Sequence, residues 1–269
     1  MSHKDVGSRR LNLQVALGAT LRALPRLWLG AAGALLVCTA VWLVPVFTSL
    51  TGGTGPAWAV AAGLTTLVAM GALARLSVTD DIQGARALGL GPTGLQFGWP
   101  EARLVLSALF CLIFLAMIVI VLTLAVLAIF GTAELDIAAI QARDWGSVGA
   151  PWKLGLLAAL GVAAMLIPLL LAVRLSLFVP ATLGRNQMVS LNSMGIAYGS
   201  YWPLLAGLIL TVLPMAALLA LIGTAALAAP VSPVIRVIGL VWLQLPLTLG
   251  LLGMAYRQLE YWTPGEAGQ

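Results

Sequence analysis

Ala74-Arg75-Leu76-Ser77, Val173-Arg174-Leu175-Ser176 and Ala255-Tyr256-Arg257-Gln258-Leu259 close three long apolar runs in the same way. A small or aromatic lead-in is followed by an arginine and then a leucine. Before each lie two apolar stretches, and before each pair lies a shorter, partly polar segment. The chain therefore reads as one unit, polar segment plus two membrane spans, used three times, with repeats near 11–77, 79–177 and 181–259.

Composition names the solvent. Of 269 residues, 61% are hydrophobic and 9% charged, and the mean hydropathy is +1.04. A soluble domain of this size needs more charge to cover its surface. In lipid an apolar exterior costs nothing. The net charge of +5 has no soluble basic domain to carry a nucleic-acid site, so it is read as a topology signal.

A span needs about 20 mostly apolar residues to cross a hydrocarbon core of about 30 Å. Six stretches qualify: about Leu27–Leu50, Ala57–Ala74, Leu104–Phe130, Leu154–Val173, Trp202–Ala228 and Val237–Tyr256. None contains a charged residue, and the second runs on to Arg75, whose long side chain can snorkel to the interface. The expectation is an all-α integral membrane fold of six transmembrane helices, arranged as three helical-hairpin repeats. Residues 1–26 form a tail and interfacial helix, 27–259 the membrane domain and 260–269 a short tail.

Arginine and lysine orient it. With six spans, one side holds Lys4, Arg9, Arg10, Arg22, Arg26, Arg75, Arg86, Arg103, Arg174, Arg185 and Arg257, and the other only Arg143, Lys153 and Arg236. That bias places both termini in the cytoplasm. Twelve arginines against two lysines, with abundant Ala, Gly and Leu, point to a bacterium with a GC-rich genome, hence its inner membrane. The first apolar run starts too late and runs too long for a cleaved signal peptide, and Val37 before Cys38 argues against a lipoprotein site. Cys38 and Cys111 read as buried free thiols.

On the arginine-rich side three segments carry most of the polar chemistry. In Arg10–Arg26, Leu13, Leu17, Leu21 and Leu24 fall at helical spacing with Arg10, Gln14, Arg22 and Arg26 away from them. This is the pattern of an amphipathic helix lying on an anionic leaflet. Thr79-Asp80-Asp81 is a helix start, and the segment Ile82–Leu88 stops at Gly89. Ala181–Tyr198 is the third version, with Arg185, Asn186 and Gln187. Arg10, Arg22, Arg26, Arg75, Arg174, Arg185 and Arg257 are the candidate lipid- or partner-contacting residues. Trp28, Trp99 and Trp202, each near a proline, suit the interfacial belt. Of the connections on the other side only Gly131–Pro151 has length, and its Glu134–Arg143 stretch is suited to a short helix.

Little chemistry is available. The single histidine, His3, sits in the tail, and no cluster of His, Asp and Glu is set up for metal-assisted hydrolysis. Asp80-Asp81 is explained better by capping than by a cation. A serine nucleophile lacks a base, and no G-x-x-x-x-G-K loop occurs. No catalytic, cofactor-binding or metal-binding residue is assigned. Gln244, two residues before Pro246, is the candidate intramembrane polar group, able to serve a carbonyl that the proline frees. Gly155, Ala159 and Ala163 form a small-residue stripe suited to helix contact.

The stretch Arg174–Leu213, RLSLFVPATLGRNQMVSLNSMGIAYGSYWPLLAGLILTVL, resembles the bacterial membrane-domain family attached to some glycerophosphoryl diester phosphodiesterases. Arg174, Pro180, Ser190, Gly199 and Trp202 occupy the family's places over about forty residues. The resemblance implies a membrane fold and no activity, because the phosphodiesterase chemistry belongs to a separate domain. Where the family often has an acidic residue near the polar helix, this chain has Arg185-Asn186-Gln187. The function expected is non-enzymatic: organising, anchoring or regulating a partner protein or lipids, with a homo-oligomer as one form of partner. The alternative is a small transporter for an apolar or lipid-like substrate.

Overall fold

The structure is a computed structural model that describes residues 10–132, 136–144, 146–224 and 231–260. Among these there are helices and no strands: α1 (Leu13–Gly30), α2 (Ala32–Phe47), α3 (Thr54–Val78), α4 (Ile82–Ala87), α5 (Trp99–Thr132), α6 (Ile137–Ala142), α7 (Pro151–Leu175), α8 (Phe178–Gly184), α9 (Ser193–Ile196), α10 (Tyr201–Thr224), α11 (Val231–Ile238) and α12 (Leu245–Leu259). A π-helical segment, Gly239–Gln244, joins α11 to α12. Among the described residues five helices are long and apolar enough to cross a membrane, with α11, the π-helical segment and α12 counted as one, and the bent pair α1–α2 brings the number to six when taken as one span. The all-α membrane fold expected from composition is the fold observed.

The first span is not the continuous Leu27–Leu50 helix that its apolar run suggests. α1 and α2 meet at 78°, with Ala31 at the corner. The segment that fills the bend lies far along the chain. The tight turn Pro92–Gly94 presses into the bend, where a Cβ on Gly94 (φ +81°) would stand 2.8 Å from the Ala31 Cα. Gly33 meets the same turn, at the Thr93 side chain. Only glycine tolerates both the positive φ and the approach at position 94. α2 itself has 16 residues, about 24 Å at the helical rise, which is short for a full crossing.

The chain divides into two compact units. One comprises the described residues up to Ala108 and from Arg174 onward. Its centre is α12, buried along nearly its whole length, with α1, α3, α8 and α10 packed against it. Apolar burial gives little net drive in lipid, so close packing of small residues carries the association. Gly253 faces Ser77 of α3, Gly250 faces Thr20 and Leu27 of α1, and Leu251 covers Gly207 of α10. The leucines of the three repeat motifs, Leu76, Leu175 and Leu259, are all buried, which is why a leucine recurs there.

The second unit is Leu109–Val173. Its part of α5 presents Leu112, Ile120 and Leu124 outward. α6 is the short helix expected between Glu134 and Arg143, although Glu134 and Trp145 lie outside the described residues. Asp136 caps it by accepting from the Ala138 and Ala139 N–H groups, and Arg143 ends it in the left-handed conformation. The stripe Gly155-Ala159-Ala163 is not a close-packed seam: a Cβ on Gly155 would meet nothing within 4 Å.

Candidate functional site at the arginine end of the bundle

Arg75, Arg174 and Arg257 each lie in the last turn of a long helix, α3, α7 and α12, as the repeated motif requires. Cations suit that position because unpaired carbonyls gather there. Their surroundings differ completely. Arg75 does not snorkel: it is 0% exposed. Its Nε donates to the Leu88 carbonyl at 2.9 Å, and its Nη2 stands 2.6 Å from Oε1 of Glu101. Glu101 lies in the first turn of α5, where its other oxygen accepts from the Gly98 N–H at 3.0 Å, half of a capping box. The connection 88–98 thus closes over the arginine, and a buried charge is compensated by a buried charge.

Arg257, the more exposed, pairs with Asp80 at 2.5 Å. Arg26 reaches the same spot from α1. Its Nη2 donates to the Leu76 and Thr79 carbonyls at 2.9 Å each, and its Nη1 donates to the Asp80 carbonyl. Arg26 is therefore the C-cap of α3 rather than a lipid-facing cation. Asp81 begins α4 as expected, accepting from the Gly84 N–H at 2.7 Å, and Gly89 (φ +88°) follows its end. Both members of the Asp80-Asp81 pair are thereby committed to protein groups.

Arg185 is also committed, in a bidentate pair with Glu260: Nε to Oε2 and Nη2 to Oε1, both at 2.9 Å. The two parallel bonds fit the flat guanidinium fork. Gly184 lies against the Tyr256 ring beside this pair. The carboxylate beside this polar segment comes from beyond α12. Ala181–Tyr198 is not one amphipathic helix, because the chain turns at Asn186 (φ +49°) and splits into α8 and α9. Thr182 holds the loop by accepting from the Val189 N–H and donating to the Val189 carbonyl. α8 is buried from Val179 to Leu183. Arg103, which sequence reasoning did not single out, donates to the carbonyl and side-chain oxygens of Asn186 and lies 5.9 Å above the Trp99 ring.

Arg10, Arg22 and Arg174 are exposed. The face of α1 that packs on the bundle is Ala16, Thr20, Ala23 and Leu27, beside the leucine row. Leu21 is 59% exposed, on the side that carries Arg22, while Leu13, Leu17 and Leu24 flank the contact. Small residues win the packed face because α12 presents Gly250 to it. The helix is seated by its start: the Leu11 N–H donates to Ser200 Oγ and the Asn12 N–H to Gln258 Oε1.

Within the spans, two prolines are matched by tryptophans. A proline has no N–H, so the carbonyl four residues earlier loses its α-helical donor. Pro45 does this to Val41, and Trp58 Nε1 donates to that carbonyl at 2.8 Å. Pro246 does it to Trp242, and Trp28 Nε1 donates there at 2.8 Å. Trp28 thus serves the interior rather than the interfacial belt, while Trp99 and Trp202 are 70% and 74% exposed. Gln244, expected to serve a freed carbonyl or a neighbouring helix, donates instead to Thr248 Oγ1 at 2.8 Å on its own helix.

Glu101, Glu260 and Gln96 are the participants that sequence reasoning missed. Glu101 carried a legible signal, since a carboxylate at the head of an apolar run needs a partner. Among the described residues no group of three His, Cys, Asp or Glu side chains is placed to hold a metal ion. Compared with known protein families, curated proteins and solved structures, the chain matches none.

Proposed function

We propose that this chain is a non-enzymatic multi-pass protein of a bacterial inner membrane, with both termini cytoplasmic, that organises or anchors lipids or a partner protein. Its kinship with the membrane-domain family of glycerophosphoryl diester phosphodiesterases is part of the same proposal. The observation that carries the reading is the division among its arginines. Arg26, Arg75 and Arg185 are held, at least partly buried, by protein oxygens, and the exposed Arg257 is tied to Asp80, whereas Arg10, Arg22 and Arg174 are exposed and suited to lipid phosphates at about 1 kcal/mol each. Native mass spectrometry of the protein extracted with its lipids tests this. Replacing Arg10, Arg22 and Arg174 together by Gln should strip anionic phospholipid from a folded variant, and unchanged retention would reject the lipid-organising reading.

A second reading, handling of a lipid-like substrate, is favoured by one feature. A half-open apolar groove of about 230 Å³ runs along α2 and α3, lined by Ala34, Val37, Leu64, Thr65, Val68 and Phe97. Val68→Trp should fill it and slow lipid movement in proteoliposomes if this reading holds.

A further inference from the structure

We infer that Gly71 of α3 keeps open a site for one buried water molecule, held between Arg75, Gln96 and Glu101. The three side chains come from two helices and the connection between them, and they converge on one point. A Cβ built on Gly71 would stand 3.4 Å from Arg75 Nη1, 3.7 Å from Gln96 Nε2 and 3.7 Å from Glu101 Oε1. All three atoms are buried without a hydrogen-bond partner among the described residues. The Glu101 oxygen is paired with Arg75 Nη2 at 2.6 Å, and a carboxylate oxygen has a second lone pair for a further donor. Gln96 cannot resolve the matter by turning its amide over, because its Oε1 already accepts from the Gly91 N–H at 3.3 Å.

The chemistry of the three groups selects the occupant. Two donors ask for an acceptor, and the carboxylate oxygen asks for a donor. An anion would be repelled by Glu101 and a cation by Arg75. Water is the neutral species that accepts two hydrogen bonds and gives one at the same point. The missing side chain at Gly71 leaves the space on which all three groups converge, each within 3.7 Å of the Cβ position. Glycine at 71 is explained in the same step, for any side chain would occupy the water's place.

Thermal unfolding of the purified protein, followed for Gly71→Ala and Gly71→Ser, tests the inference. Alanine expels the water and supplies no polar atom. Serine expels it too, but places a hydroxyl where the water oxygen stood. Serine is the larger residue and the weaker helix former, so crowding or propensity alone would rank it below alanine. The expected order is reversed: Gly71→Ala melts about 3 °C or more below the parent, and Gly71→Ser melts above Gly71→Ala. Gly63→Ala, on the same helix with nothing within 4 Å of its Cβ, should not fall. An alanine variant as stable as the parent, or a serine variant no more stable than the alanine one, overturns the inference.

Discussion

The indole of Trp28 and the carbonyl of Trp242 are joined by a 2.8 Å hydrogen bond at the place where Pro246 withholds an N–H. If the tryptophan is there to serve the proline, the two positions are energetically coupled. Trp28→Phe keeps the ring and removes the donor, and should cost about 1 kcal/mol. In a Pro246→Ala background, which restores the backbone donor, the same change should cost much less. A double-mutant cycle on thermal stability reads the coupling.

Arg75 and Arg174 occupy the same place in the repeat and should respond differently to loss of charge. Arg75→Met strands Glu101 in the interior and should cost about 3 kcal/mol or more. Adding Glu101→Gln should recover part of that loss. Arg174→Leu, at an exposed position, should stay within about 0.5 kcal/mol of the parent. Folded yield in mild detergent ranks the three variants, and similar losses at 75 and 174 would contradict the environments described.

The contact of α3 with α12 is set at Gly253. A Cβ there would lie 1.9 Å from Ser77 Oγ and 2.4 Å from Ser77 Cβ, so Gly253→Ala should separate the two helices and abolish folded protein. Gly253→Ala combined with Ser77→Gly should restore a measurable fraction. Gly18→Ala, with nothing within 4 Å, should gain about 0.5–1 kcal/mol from helix propensity alone.

The arginine bias predicts opposite labelling from the two faces of the membrane. Both native cysteines are buried, so background reaction should be low. Ser147→Cys should react with an impermeant thiol reagent on intact cells, and Gln187→Cys only after permeabilisation. The reverse pattern would invert the proposed topology.

What could be read from sequence was what lipid enforces locally. The six apolar runs, the arginine in each final turn, the Asp81 cap and the Gly89 stop all follow from residues within one turn of each other. The bend at Ala31 escaped because Pro92–Gly94, the turn that packs into it, lies about sixty residues away. Arg26, Arg75, Arg185 and Arg257 were correctly brought to one end, but their partners were not. A carbonyl at the end of α3, Glu101 and Glu260 become neighbours only after the helices pack, and a span's composition reports its lipid rather than its neighbour. The packed face of α1 was not legible for the same reason: apolar periodicity marks a greasy side, while glycines on the facing helix decide which side is packed.

The seating of α1 has a consequence for biosynthesis. Its start is fastened to Ser200 and to Gln258, and its flank rests on Gly250. A ribosome makes this helix long before it makes any of those residues. Until the chain has grown past Gln258, the bonds that fasten the start of α1 and the α12 face that covers Thr20 and Leu27 are not yet made. Its docking then closes the unit, so a nascent chain stalled short of α12 would hold an unprotected N-terminal helix, the kind of segment that membrane quality control can recognise and clear.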